Sequence, residues 1–469
     1  MPHIDIFSFP TGRDSAISEH LIRAESLAVP RELKLAAEEI PAKENGLKAG
    51  ISGAGLMGCS IAAAFIANRI PILMFDIAPE ALKRAPERIR AELRLSDAFE
   101  GSDSEKDRLV DQYLTCSDQL EEIGKLSFIL ETILEKTKIK QKHYMQLDPF
   151  CTSGPDLVSN TSTIRITELA EVFDQKCVHL KSSHYCGFHF FHPVRRRSLV
   201  EIIRGEKTSN QTLSRAVEIA KKIAKIPIVV NDGPGFLVNR LLNPYLNESI
   251  TMLEEGVPLK RIERICAEFG MEMGPFRIMD EIGLDVALHS GWTIRKAFPE
   301  LITSEDLLLD LVDAGRLGRK TGKGFYRYTD RNTAWESEPL EDPDFQILLE
   351  KVQARKSRRG ALKNSSSCSD RELGLRIFSG ILLEAGRILE SNIVSDFALA
   401  DMALVLGLGF PRRKGGICFW ADSLGLPDLL EEVQKLEPLG PRFQIPKILR
   451  NRDYLLNPSS QDPVRNKEF

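Results

Sequence analysis

The stretch "LKAGISGAGLMGCSIAAAFIANRIPILMFDI", residues 47–77, restricts the fold of this chain more than any other. An apolar strand runs into a glycine turn, an alanine-rich helix and a second strand ending at Asp76. Such a unit requires two parallel strands joined by a crossover helix, and so an α/β layer architecture. Within the turn, Gly53 allows the sharp bend, Gly55 lets backbone approach a pyrophosphate, and Gly58 lets helix and strand pack closely. The N-terminus of the helix then offers free N–H groups and the positive end of its dipole to the phosphates. Asp76, at the end of the second strand, accepts from ribose hydroxyls and repels a 2′-phosphate, which favours NAD over NADP. The glycine motif by itself suits FAD as well.

The segments that follow extend the sheet. A charged helical region spans 79–113, then "LSFILETIL" and "LVSNTSTI" read as strands; "KCVHL" or "GFHFF", "SLVEII" and "IPIVV" complete it by about residue 231. After "NDGPGF" the pattern changes to long amphipathic helices, the first expected to kink at Pro244. A linker occupies 331–370, and its Ser/Arg-rich end is expected to be mobile. Beyond it, "LEAGRILESNIV" and "LGFPRRKGGICFWADSLGL" echo residues 247–285, pairing Glu248 with Glu384, Leu253 with Leu389, Glu254 with Glu390, Gly274 with Gly409 and Asp280 with Asp422. The expected organisation is an extension at 1–46, a dinucleotide domain at 47–231, a first helical repeat at 232–330, the linker, and a second repeat at 371–469. The fold class is thus α/β, a mostly parallel doubly wound sheet followed by a duplicated all-α domain.

Composition narrows the function. A net charge of −4 on 469 residues argues against a nucleic-acid surface, and no apolar run is long enough to span a bilayer. The beginning of the chain lacks a basic region followed by an apolar stretch, so a cytoplasmic protein is expected. The eight scattered cysteines form no C-x-x-C pair, which suits reduced thiols. "CVHLKSSHYCGFHFFH" (177–192) gathers cysteines and histidines, but its spacing is not that of a zinc site, and no metal is expected.

"GFHFFHPVRRRSLVEII", residues 187–203, reads as two strands joined by a basic turn. Alternation puts Gly187, His189 and Phe191 on one face, and Leu199, Glu201 and Ile203 on one face of the second strand. A glutamate between Leu199 and Ile203 is expected to be buried and needs a partner; a histidine on the neighbouring strand provides one, its tautomer fixed by the carboxylate. Taken alone, a histidine in an apolar strand is more often a satisfied core residue than a catalyst.

Several ordered motifs carry a resemblance over about residues 47–440: "GAGLMG", "SNTSTIRI", "GFHFFHPV", "LVEII", "NDGPGFLVNRLLNPYLNE", "GRKTGKGFYRY" and "GLGFPRRKGG". They resemble the 3-hydroxyacyl-CoA dehydrogenase family, most closely the dehydrogenase half of the fatty-acid-oxidation-complex α-subunit. The resemblance implies a Rossmann domain, NAD as cofactor, and oxidation of (3S)-3-hydroxyacyl-CoA in β-oxidation. It implies His189 as general base, Glu201 as its orienting partner, and Ser162 and Asn239 as hydrogen-bonding partners of the substrate oxygens. It implies cofactor contacts from the whole turn Gly53, Ala54, Gly55, Leu56, Met57 and Gly58, from Asp76, Ile133, Leu134, Glu135, Lys140 and Ser162, and from His192 and Lys320. An acyl-CoA is the implied substrate partner, its phosphates met by Lys83, Arg84 and Arg88 or by Arg195–Arg197. A homodimer and a thiolase or hydratase subunit are further partners that the family suggests.

The chain departs from the family in several places. His192 stands where asparagine is usual, "LKSSHYC" lengthens the connection ahead of "GFHFF", and Leu406 replaces an aromatic residue associated with the acyl pocket. The residues ahead of the first strand resemble a linker remnant rather than a hydratase domain, so no hydratase activity is expected. The alternatives are a dehydrogenase of another 3-hydroxy acid on the same fold, or a weakly active scaffold subunit that binds NAD or acyl-CoA.

Overall fold

The computed structural model describes residues 4–8, 14–38, 47–96, 101–303, 306–329, 339–358 and 364–456. The chain divides into two units, one of Glu25–Phe236 and one combining Met1–Ala24 with Leu237–Phe469. Two parts of the expected linker, 331–338 and 359–363, the second in its Ser/Arg-rich end, lie outside the described residues.

The unit of Glu25–Phe236 is built on an eight-stranded sheet: β1 (Ala49–Ser52), β2 (Ile72–Phe75), β3 (Leu114–Ser117), β4 (Phe128–Glu131), β5 (Asp156–Ser159), β6 (Tyr185–Phe190), β7 (Leu199–Arg204) and β8 (Ile226–Asn231). Their order is β3-β2-β1-β4-β5-β6-β7-β8, parallel throughout except for the antiparallel pair β6–β7. Strands β1, β2, β4 and β5 are buried at every residue, as parallel strands covered on both faces must be. The Ala-rich helix Leu56–Ala67 is apolar nearly all round because it is enclosed within this core. Val29 and Leu33, from the segment ahead of β1, pack into the same core.

Strand β3 carries no sequence signal: it is a partly exposed edge, "LTCS", with β2 as its one partner in the sheet. "KCVHL" is not a strand, since Asp148 accepts the N–H groups of Val178, His179 and Leu180 in place of a ladder. The lengthened connection folds as a short 3-10 turn, Ser182–His184, with the Ser182 hydroxyl bonded to Asp174 at 2.9 Å. The charged region after β2 is two helices, Pro79–Arg94 and Asp103–Tyr113, the second closed by a capping box between Ser102 and Glu105.

The other unit is helical. Helix Val238–Glu254 continues unbroken through Pro244, and Asp370–Glu390 packs beside it. The two helices exchange equivalent ion pairs: Arg240 Nε donates to Glu384 at 2.7 Å, while Arg376 Nε donates to Glu248. Arg and Glu have the same separation within each helix, so one repeat's arginine meets the other repeat's glutamate.

A second repeated device is a carboxylate that collects backbone N–H groups. Glu263 accepts from Phe276 and Arg277, and Asp401 from Cys418 and Phe419. Asp280 accepts from Phe325 and Tyr326, and Asp422 from Leu455 and Leu456. Residues ahead of the sheet complete the second copy: His20 Nε2 lies 3.0 Å from Asp401, and Trp420 Nε1 donates to the Ile6 carbonyl at 3.2 Å. No helix among the described residues is long and apolar enough to cross a membrane.

Candidate active site

The glycine turn follows β1, at the carboxyl edge of the parallel strands where open α/β sheets bind ligands. Gly53 has φ +115°, a conformation that side chains oppose, and a Cβ there would lie 2.7 Å from Thr132 Oγ1. At Gly58 a Cβ would stand 1.9 Å from the Gly53 carbonyl, so only glycine lets the helix start this close to the strand. Nothing stands over Gly55, and as N-cap it supplies no side chain to the first N–H groups of Leu56–Ala67. These unfilled donors at a helix N-terminus fit a diphosphate.

Asp76 accepts from Ala54 N–H at 2.8 Å and from Ala78 N–H at 2.9 Å, which seats its carboxylate beside the turn. Leu56, Ile77 and Leu134, following three adjacent strands, are 61%, 84% and 69% exposed. Apolar side chains left open beside phosphate donors suit the rings of a dinucleotide, so the residues present fit NAD. Met57 is partly buried against the core.

The catalytic candidates on β6 and β7 come together as their alternation requires. His189 and Glu201 are direct partners in the antiparallel register, and Nδ1 lies 2.7 Å from Glu201 Oε2. Their exposures are 3% and 0%, and the rings of Phe191 and Phe236 stand 4.7 and 6.0 Å from the imidazole. A carboxylate on Nδ1 holds the proton there and leaves Nε2 as the basic nitrogen.

Ser162 sits on the loop after β5, partly exposed, and its N–H donates to Glu135 Oε1 at 2.8 Å. The same oxygen accepts from Thr161 Oγ1 at 2.6 Å and Thr163 N–H at 3.2 Å. Lys140 is 1% exposed, with Nζ 2.6 Å from Glu131 and 3.3 Å from Glu135. Burial opposes its charge, yet these two carboxylates outweigh it and raise its pKa. Burial likewise opposes ionisation of Glu135, but Lys140 and the loop donors win and lower its pKa. Glu135 and Lys140 therefore organise the Ser162 loop, and are not a surface pair. Ile133 contributes its backbone to the same cluster, its N–H to Glu131 and its carbonyl to Lys140.

His192, in the turn between β6 and β7, has a buried Nδ1 with no hydrogen-bond partner among the described residues. Burial holds its pKa below the ordinary imidazole value. Arg195 in the same turn is committed to Glu92 at 3.0 Å, whereas Arg88 reaches the glycine turn, 3.5 Å from the Ala54 carbonyl. Asn239 and Lys320 belong to the helical unit. Asn239 is in the first turn of Val238–Glu254, and Lys320 Nζ lies 2.5 Å from Asp285. Leu406 is partly exposed in the π-helical turn Leu404–Leu408. Among the described residues, no three His, Cys, Asp or Glu side chains are grouped to hold a metal.

Two residues escaped the sequence reading. Asn160 Oδ1 accepts the Phe190 N–H at 2.9 Å, tying the Ser162 loop to the strand that carries His189. Glu131, fully buried at the end of β4, lies beneath the loop. Asn160 lies inside the quoted "SNTS", but only the strand order shows what its amide meets.

Residues 48–233 match the family model of the 3-hydroxyacyl-CoA dehydrogenase NAD-binding domain, and residues 235–328 match that of its C-terminal domain. The chain is similar to (S)-3-hydroxybutyryl-CoA dehydrogenase PaaH1 from Ralstonia eutropha, with 32% identity over 60% of this chain and 99% of that one, and a TM-score of 0.54. It also shares its fold with 3-hydroxybutyryl-CoA dehydrogenase from Escherichia coli K12, with 23% identity, 87% and 98% coverage and a TM-score of 0.69. The dehydrogenase part of multifunctional enzyme 1 from C. elegans aligns over 94% of this chain and 99% of its own, with 22% identity and a TM-score of 0.58.

Proposed function

The chain belongs to the 3-hydroxyacyl-CoA dehydrogenase family, an NAD-dependent enzyme family, and on that premise we propose that it oxidises (3S)-3-hydroxyacyl-CoA to 3-oxoacyl-CoA in fatty-acid β-oxidation. The observation that carries this reading is the His189–Glu201 pair, buried and in direct register across β6 and β7.

NAD, when bound, supplies the acceptor for the hydride leaving C3. His189 Nε2 removes the proton of the 3-hydroxyl. Glu201 keeps Nδ1 protonated and stabilises the imidazolium that results. Ser162 and Asn239 hydrogen-bond the substrate oxygens and limit the poses that C3 can take. Gly53, Ala54, Gly55, Leu56, Met57 and Gly58 would hold the phosphates, and Asp76, seated beside the turn by Ala54 N–H, would meet the adenosine ribose. Ile133, Leu134, Glu135 and Lys140 would border the cofactor after β4, with His192 and Lys320 as further contacts. PaaH1 and the E. coli relative act, by their names, on a four-carbon substrate, so acetoacetyl-CoA is the first substrate to test.

The test is the oxidation of NADH by the purified protein with acetoacetyl-CoA and with a long-chain 3-oxoacyl-CoA. Turnover with either is expected, and their ratio reports chain-length preference. Absence of turnover with both, while NADH still binds, would reject the acyl-CoA reading. Sedimentation of the protein, alone and mixed with thiolase or hydratase subunits, tests a homodimer and those partners.

A further inference from the structure

The polar groups beneath the Ser162 loop converge on a single carboxylate, Glu131. Its Oε1 accepts from Lys140 Nζ at 2.6 Å and from Ile133 N–H at 2.7 Å. Its Oε2 accepts from the Tyr144 hydroxyl and the Ser159 hydroxyl, each at 2.7 Å. Glu131 is 0% exposed, as are Tyr144 and Ser159, and Lys140 is 1% exposed. Both oxygens are thereby filled, and the group has no free side to offer a ligand.

Two routes lead from Glu131 to the loop. On one, the Ser159 hydroxyl that donates to Glu131 accepts from Thr161 N–H at 3.2 Å. On the other, Lys140 bridges to Glu135, and Glu135 receives the N–H groups of Ser162 and Thr163. The Glu131 backbone joins in: its carbonyl accepts from Asn160 N–H at 2.9 Å, and Asn160 in turn holds Phe190, next to His189. A buried ion pair adds little net stability over apolar residues of the same shape, so the Lys140–Glu131 pair is not explained by stability alone. Here the Ser159 and Lys140 branches end on the loop that presents Ser162, while Tyr144 leads on to the Tyr185 hydroxyl of β6 at 3.0 Å.

We propose that Glu131 is a positioning residue of the dehydrogenase reaction, fixing the Ser162 hydroxyl relative to His189 through Ser159 on one side and Lys140 and Glu135 on the other. The proposal rests on the role of Ser162 given above. It assigns Lys140 to the substrate side of the site, as a support, in addition to any contact with the cofactor.

The experiment compares the full chain with Glu131→Gln, Tyr144→Phe, Ser162→Ala and the double variants that join each of the first two to Ser162→Ala. Initial rates give kcat and KM for acetoacetyl-CoA, fluorescence gives NADH affinity, and circular dichroism checks folding. Glu131→Gln is expected to lower kcat by about tenfold, and Tyr144→Phe by about twofold to threefold, with NADH affinity within about twofold of the parent. Each double variant is expected to be no slower than Ser162→Ala alone, because the support acts through that hydroxyl. Additive losses in the doubles would overturn the proposal, as would an unchanged kcat in Glu131→Gln or a loss confined to NADH affinity. If Glu131→Gln does not fold, Tyr144→Phe and its double decide by the same comparison. An Ser162→Ala variant as fast as the parent would instead reject the role of Ser162, and the positioning proposal with it.

Discussion

In the proposed reaction His189 and Glu201 divide one task at the scale of single residues. There the imidazole takes the proton, while the carboxylate, 2.7 Å away and sealed from water, decides which nitrogen is free to do so. Replacing His189 by Ala is expected to lower kcat by roughly 100- to 10,000-fold while leaving NADH affinity near that of the parent, measured by initial rates and fluorescence titration. Glu201→Gln is expected to cost on the order of 100-fold, because a neutral amide neither fixes the tautomer nor stabilises the imidazolium. Near-normal turnover in His189→Ala would end the assignment. Asp76→Ala tests the other end of the site: the preference for NADH over NADPH is expected to fall by about tenfold or more, read as the ratio of kcat/KM values. His192→Asn separates contact from bystander, since a change in NADH affinity is expected only if the ring with the buried, unpartnered Nδ1 meets the cofactor.

Among the elements, the glycine turn and the carboxylate-capped helices are the most sensitive. Gly58→Ala would drive a methyl group into the Gly53 carbonyl, so the turn must open. Loss of NADH binding before loss of folding is the expected outcome, checked by fluorescence and melting together. In the first helical repeat, burial raises Glu263 to about 7 and Asp280 to about 7, an effect their N–H partners only partly offset. Both values lie above the usual 4.5 and 3.8 of an unfolded chain, so the folded state holds the extra protons between about pH 4 and 7. The stability they contribute is complete below about pH 4 and is lost as pH rises through 7. Denaturant melts between pH 5 and 8 are expected to show that decline, and Glu263→Gln with Asp280→Asn to flatten it. A melt whose stability rises over this window in the parent, and is unchanged in the variants, would contradict the burial argument.

Within the helical unit as a whole, the reciprocal Arg240–Glu384 and Arg376–Glu248 pairs join one repeat to the other. Removing Glu384 leaves Arg240 buried without this charge partner. Glu384→Ala is expected to lower the unfolding free energy by about 3–5 kcal/mol in denaturant titration, as breaking buried pairs does. Much of the architecture was legible in local pattern. The strand–turn–helix–strand of 47–77 and the alternation that put His189 and Glu201 on facing sides both rest on periodicities that neighbouring residues impose on one another. Edge strand β3 was not legible, because a partly exposed four-residue edge needs no apolar pattern. Neither was the loss of strand character in "KCVHL", whose N–H groups are taken by Asp148 some thirty residues earlier. Sequence by itself determined the glycine turn and the facing positions of His189 and Glu201, because these depend on residue type and short-range spacing. Only the tertiary structure decided what Glu131, Asn160 and Lys140 do, because a buried polar group is defined by the donors and acceptors that distant strands bring to it.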